Sequence, residues 1–400
     1  SLQADPQLDS SNYNPLAGSP VVDRGQLLSG FTDDYDGNTR ATPWDIGAQQ
    51  STLAGTPYVH IPWGTVPTSV LGTYFASPHR LLIITGTDSN DTILVRTEGN
   101  SIHVYANNQD IWQRDQYEVY TIVIHGNGGD DAITNETSKS VVINGGSGND
   151  SLLGGSNYDY LDGGSGRDTI EGGANPDLIL GGSCTDLSLA GPGDSLLGGD
   201  GDDTIQGDLA DDTLWGHRGD DALSGFWGND YCNAGEGNDR IAGGAQMDTI
   251  YGGSGHDAIT GEEDDDLIYG DGGDPSDPYG GNDTIDGADG NDTIEGDPYG
   301  GIYNDSLRGG MGNDYINGGY GNDLIYGDEG NDLLEAGEGN DSIFGGSGAD
   351  TMYGGNGDDS FTNPADGSID TINGGTGSFF DSVIGGDPND VFYDMEAIYL

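Results

Sequence analysis

The sequence predicts an all-β fold, a parallel solenoid of very short strands, and three observations lead there. A nine-residue unit recurs almost without a break from 145 to 362. Each unit carries an aspartate two positions before a large apolar residue, as in GGSGNDSLL (145–153), GGSGRDTIE (163–171), GGYGNDLIY (318–326) and GGSGADTMY (345–353). Glycine, 75 of 400 residues, falls at fixed places in the unit. One inward residue flanked by two outward ones is the alternation of a short strand. The glycine-rich residues before it form a turn in which positive φ and close backbone approach are allowed.

Composition restricts what this fold does. Seventy acidic residues against 10 lysines and arginines give a formal charge of −60, and 32% of residues are hydrophobic. Such a chain buries too little apolar surface to offset its own entropy and repels itself when compact. Either it is unstructured or cations belong to its fold, and the regular period favours the second. Nucleic acid is excluded as a partner because phosphates would be repelled. No apolar run reaches the ~20 residues needed to span a bilayer as a helix. The start, SLQADPQLDSSNYN, lacks the basic and apolar stretches of a signal peptide and reads as beginning mid-protein.

Five regions follow in order. Residues 1–50 contain NPLAGSPVVDRG, DYDGNTR and DIGA, blocks similar to the end of a right-handed parallel β-helix of the pectate-lyase-like kind. Residues 51–80 are proline-rich and read as a linker or cap. Residues 81–144 hold the strand runs LLIIT, TILVR, SIHVYA, YTIVIHG and VVING, with irregular copies of the unit between them. Residues 145–362 are the repeat. Residues 363–400 are degenerate coils whose Phe379, Phe380, Phe392 and Tyr393 supply the bulk of a terminal cap. Glycine in every turn, without a helical stripe of about 3.6 residues, excludes helices beyond short turns.

Aligned, the units give G-G-x-G-x-D-x-U-x, with U large and apolar, from Leu152 through Ile205, Ile250 and Ile316 to Phe361. This pattern resembles the RTX, or hemolysin-type, calcium-binding nonapeptide repeat. The resemblance implies a right-handed parallel β-roll with stacked calcium ions between the turns of neighbouring coils, held by aspartate carboxylates and turn carbonyls. The matching positions are Asp150, Asp168, Asp186, Asp203, Asp221, Asp239, Asp257, Asp283, Asp292, Asp305, Asp314, Asp323, Asp332, Asp341, Asp350 and Asp359. Calcium chemistry agrees: the ion takes about six to eight oxygen ligands in flexible geometry, and glycine turns leave carbonyls free to supply them. The expected load is on the order of ten or more ions, with folding and binding as one event.

Two units make one coil, so alternate units share an edge. Turns that depart from the consensus, at 154, 172, 207, 243 and 261, alternate with full or near-full turns at 145, 163, 198, 216, 234 and 252. Reading 181–197 as a nine plus an eight preserves that alternation. It predicts one calcium-rich edge up to about residue 260 and a poorly loaded opposite edge. Two later interruptions, at 270–286 and 296–308, each contain DPYGG with Tyr279 or Tyr299. Proline opposes strand there, so both read as enlarged turns on one edge of adjacent coils.

Other chemistry has little support. The carboxylate pairs recur in every coil, so they do not mark a glycosidase. The six histidines show no HExxH. Cys184 and Cys232 read as unpaired, and Trp215, Tyr251 and Tyr269 as an outward column that either shields the sheet or holds a sugar or protein. The expected function is therefore a calcium-dependent, non-enzymatic structural module of an extracellular bacterial surface layer, adhesin or fibre. Its expected partners are calcium ions and possible copies of itself, surface proteins or polysaccharide. The alternatives are the calcium-binding tail of a polysaccharide-active lyase or epimerase, and a self-assembling filament subunit.

Overall fold

The computed structural model describes residues 72–76, 80–182, 193–272, 280–298, 301–375, 381–386, 388–395 and 397–399. Expectations for residues 1–50, Cys184, Asp186, Tyr279, Tyr299, Phe379 and Phe380 lie outside the described residues. Those described form 34 strands, from Gly72–Ala76 to Ala397–Tyr399, and no helix. From Thr121–Gly128 onward successive strands alternate between two sheets, and each pairs in parallel with the strand two places along.

Register follows from the repeat. The apolar U residue of one coil faces the U residue of the next, as in Leu161↔Ile179, Ile241↔Ile259 and Ile316↔Leu334. A one-residue slip would turn every U side chain to solvent, so the pairing is strongly specified. The U residues from Leu152 to Phe361 are at most 4% exposed and form one continuous core cluster along the solenoid. That core is thin, one inward side chain from each half-coil. Most of the buried polar residues are aspartates.

At the N-terminal end the pattern changes to antiparallel. Gly72–Ala76 pairs with Leu81–Thr85, and Thr92–Glu98, Ser101–Ala106 and Gln109–Asp115 form a meander. Asn107 and Asn108, both left-handed (φ 49° and 66°), make its second turn, a conformation asparagine tolerates well. The meander buries Ile102, Val104 and Trp112 over the first coils. At the other end Phe392 packs partly buried against the core, whereas Tyr393 is 52% exposed.

The structure corrects one expectation. Segment 181–197 is not a full coil of nine plus eight. Thr169–Ala174 pairs directly with Ser195–Asp200, and Leu178–Gly182 with Thr204–Gln206. Leu178–Gly182 is thus the one described strand between Thr169–Ala174 and Ser195–Asp200, and the parity of the units flips there. The well-formed turns at 145 and 163 lie on one edge, while those at 198, 216, 234 and 252 lie on the other. The well-formed turns therefore do not keep to one edge as far as residue 260. The two DPYGG interruptions do fall on one edge: the half-coils holding them end at Asp283 and Asp305, whose backbones and side chains are in contact on adjacent coils.

Candidate metal centres along the two flanks

Each turn ends at an aspartate whose side chain folds inward beneath its own glycine. Its Oδ1 accepts a hydrogen bond from the backbone N–H of the equivalent aspartate one coil earlier. The result is two ladders. On the first flank Asp131 donates to Asp150, Asp150 to Asp168, Asp168 to Asp194, and so on through Asp212, Asp230, Asp248, Asp266, Asp292, Asp314, Asp332 and Asp350, at 2.6–3.1 Å. On the second flank the ladder runs Asp159, Asp177, Asp203, Asp221, Asp239, Asp257, Asp283, Asp305, Asp323, Asp341, Asp359 and Asp381, at 2.6–3.0 Å.

Fifteen of the sixteen sequence-assigned aspartates stand in these ladders. Asp150, Asp168, Asp292, Asp314, Asp332 and Asp350 are on the first flank. Asp203, Asp221, Asp239, Asp257, Asp283, Asp305, Asp323, Asp341 and Asp359 are on the second. Each is at most 2% exposed, and each keeps a buried Oδ2 that accepts no hydrogen bond among the described residues. The sixteenth, Asp186, lies outside the described residues; Asp194 stands in the ladder after Asp168.

Sequence reasoning passed over further rungs. Asp131, Asp159, Asp177, Asp230, Asp248 and Asp266 are equally buried and carry the same unpartnered Oδ2, although most of their turns depart from the consensus. The signal was available: the aspartate keeps its spacing to the U residue even where the glycines are lost. A second, exposed ladder was also missed. At the position before many of the ladder aspartates, an Asn or Asp side chain accepts the backbone N–H of the residue one coil later, as in Asn331 to Asn313 and Asn340 to Asn322. This explains the frequent Asn-Asp pair.

The glycine positions separate two kinds of turn. The fourth residue of full turns has φ between 128° and 157°, as at Gly148, Gly237 and Gly339. Side chains are essentially excluded from that region. In the departing turns Asn175, Gln246 and Asp264 stand at the same place with φ 75–80°, ordinary left-handed backbone. A Cβ on Gly148 or Gly339 would overlap the carbonyl oxygen of Gly129 or Gly321 in the preceding coil. Glycine therefore lets carbonyls of adjacent turns close on one another beside the aspartate.

Electrostatics show the cost of this arrangement. Burial, with the neighbouring rungs adding repulsion, pushes Asp177 up to about 9 and Asp194 and Asp221 to about 8, and burial, with Asp220 and Asp202 adding repulsion, pushes Asp239 to about 7. In Asp359 burial again dominates, to about 6. A buried carboxylate must be protonated, hydrogen-bonded or matched by a cation. At Asp194, Asp208 and Asp212 three carboxylates each place an oxygen within 4.8 Å of the others.

The donor set fits a hard divalent cation: unpartnered carboxylate oxygens, glycine-exposed carbonyls, and no nitrogen or sulfur in the rungs. Calcium, when bound, supplies positive charge and oxygen coordination between coils. The ladder aspartates and turn carbonyls are the residues that would hold it.

Fold and site together define a calcium-binding β-roll. A family model for the RTX calcium-binding nonapeptide repeat matches residues 138–161, 162–197, 191–223, 206–241, 242–276, 279–298, 299–334 and 326–361. These segments cover more than half of the chain, and the chain belongs to that family. No curated protein matches it.

Proposed function

We propose that this chain is an extracellular structural and stabilising module whose folding is switched on by calcium. The observation that supports the reading most directly is the pair of continuous ladders of buried, unpartnered carboxylate oxygens. Without cations this interior repels itself. With them each coil is joined to the next on both flanks.

Several features fit a structural role. The described coils are uniform, with one rung of aspartate per half-coil. Low cytosolic calcium would leave the chain unfolded, and millimolar external calcium would fold it. All of the aspartates assigned from the sequence act in this reading as ligands, as do the additional rungs. The ion load is then on the order of ten or more.

The test is circular dichroism and hydrodynamic radius of chelator-treated protein as calcium is raised from submicromolar to millimolar. The expected result is an expanded coil that contracts into β structure, with magnesium a poor substitute because it demands rigid octahedral geometry. A β spectrum and compact radius already present in chelator at neutral pH would refute the proposal.

A further inference from the structure

On the first flank, one run of turns departs from glycine in a telling way. At the second turn position Phe226 and Glu262 adopt φ of 77° and 85°. Elsewhere in the repeat that position is mostly glycine, as at Gly146, Gly164 and Gly253. Side chains in left-handed backbone are uncommon, and His217, Ala288 and Asp328 take the same place with φ of 79°, 77° and 73°, so it is the pairing of an aromatic turn with an acidic one that sets this stretch apart.

The register places these residues across a slot. Phe226 pairs with Gly244, which pairs with Glu262; Trp227 pairs with Ala245, which pairs with Glu263. Gly244 and Ala245 are thus the floor, with the aromatic pair on one wall and the acidic pair on the other. The walls are two strand spacings apart, roughly 9.5 Å between backbones. Phe226 and Trp227 are 46% and 44% exposed, and both glutamates are exposed. The six residues line one groove. Among the described residues neither glutamate has a hydrogen-bond or ion-pair partner.

We propose that this slot binds an arginine side chain presented by a basic partner polypeptide. Aromatic faces attract cations, and guanidinium both stacks on rings and forks onto carboxylates. A chain of formal charge −60 draws basic partners from a distance. With 10 lysines and arginines of its own it is poorly suited to fill the slot from a second copy. Met247, 58% exposed, offers an apolar ledge on the coil between the walls, where a partner backbone would lie. The aromatic column on the other sheet is a weaker candidate. Tyr251 and Tyr269 stack on each other at 4.8 Å and 6°, so their faces are spent on each other.

The experiment uses the calcium-loaded full chain and a dye-labelled Ser-Gly-Arg-Gly-Arg-Gly-Ser peptide, followed by fluorescence anisotropy at physiological salt. Phe226→Gly leaves net charge untouched and should weaken binding about three- to tenfold. It should also keep or raise the thermal midpoint, because strain is relieved. Trp227→Ser, at ordinary backbone, should weaken binding similarly, and so should Glu262→Gln with Glu263→Gln. A citrulline peptide should lose binding. Unchanged affinity in Phe226→Gly and Trp227→Ser, or equal binding of the citrulline peptide, would overturn the proposal. Competition by tetramethylammonium at the peptide's own concentration range would assign the slot to small cations and overturn it too.

Discussion

Replacing Gly339 by alanine tests the turn geometry on which the flanks depend. Gly339 has φ +142°, beyond the ordinary left-handed basin, and a Cβ there would overlap the Gly321 carbonyl oxygen of the preceding coil. The backbone conformation alone costs about 1–3 kcal/mol for a residue with a side chain. Forcing the coils apart adds about 1–3 kcal/mol as overpacking, so the expected loss is about 2–6 kcal/mol. The control is Gly99→Ala, where φ is +61° and nothing lies within 4 Å of the new Cβ. It should cost only about 1 kcal/mol. Because solenoids open in segments, the assay is amide hydrogen exchange in millimolar calcium, read locally. Protection should fall in Leu333–Glu338 and Ser342–Ser347, which run into and out of the altered turn. If the two substitutions cost the same within about 0.5 kcal/mol, the claim that full turns require glycine for close carbonyl approach is wrong.

Other outcomes follow from the same geometry. In chelator, β content should rise as pH falls from about 8 towards 4. The ladder aspartates have folded values raised from 3.8 to about 6 in Asp359, about 7 in Asp239 and about 8 in Asp194. A raised folded value contributes stability below the unfolded value, near 3.9, and loses it as pH climbs through the folded one. A chelated chain that folds better at pH 8 than at pH 5 would contradict that sign. Cys232 is fully buried, and burial pushes its thiol well above the usual range. In a Cys184→Ser background it should resist alkylation in calcium and react within minutes after chelation, as mass spectrometry would show. Asp239→Asn removes a buried ladder carboxylate and should raise the calcium midpoint of folding roughly tenfold. Asp220→Asn, at a rung of the exposed ladder accepting from Asn238, should leave it nearly unchanged.

The fold was legible because the repeat states its own register. A U residue every nine positions leaves few ways to bury it, and the strands from Ser151–Gly155 to Ser360–Asn363 follow. What misled was the weight given to glycine. Turns such as GEEDDD lack the glycines of the full motif, yet Asp266 remains a buried rung. Counting units also failed at 181–197. Local spacing permits two short units there, and only pairing of Ile170 with Leu196 decides for one. The N-terminal meander escaped because its signal is a hairpin turn at Asn107 and Asn108 rather than the repeat. The slot between Phe226 and Glu262 was invisible because register across two coils, not spacing along the chain, brings its walls together.

The most direct measurement is anomalous diffraction from crystals grown in millimolar calcium. Ordered cation peaks beside the Oδ2 atoms of Asp150, Asp239 and Asp341, repeated from coil to coil on both flanks, are the result this account expects. Clean density without peaks, with those carboxylates swung out to water, would contradict it.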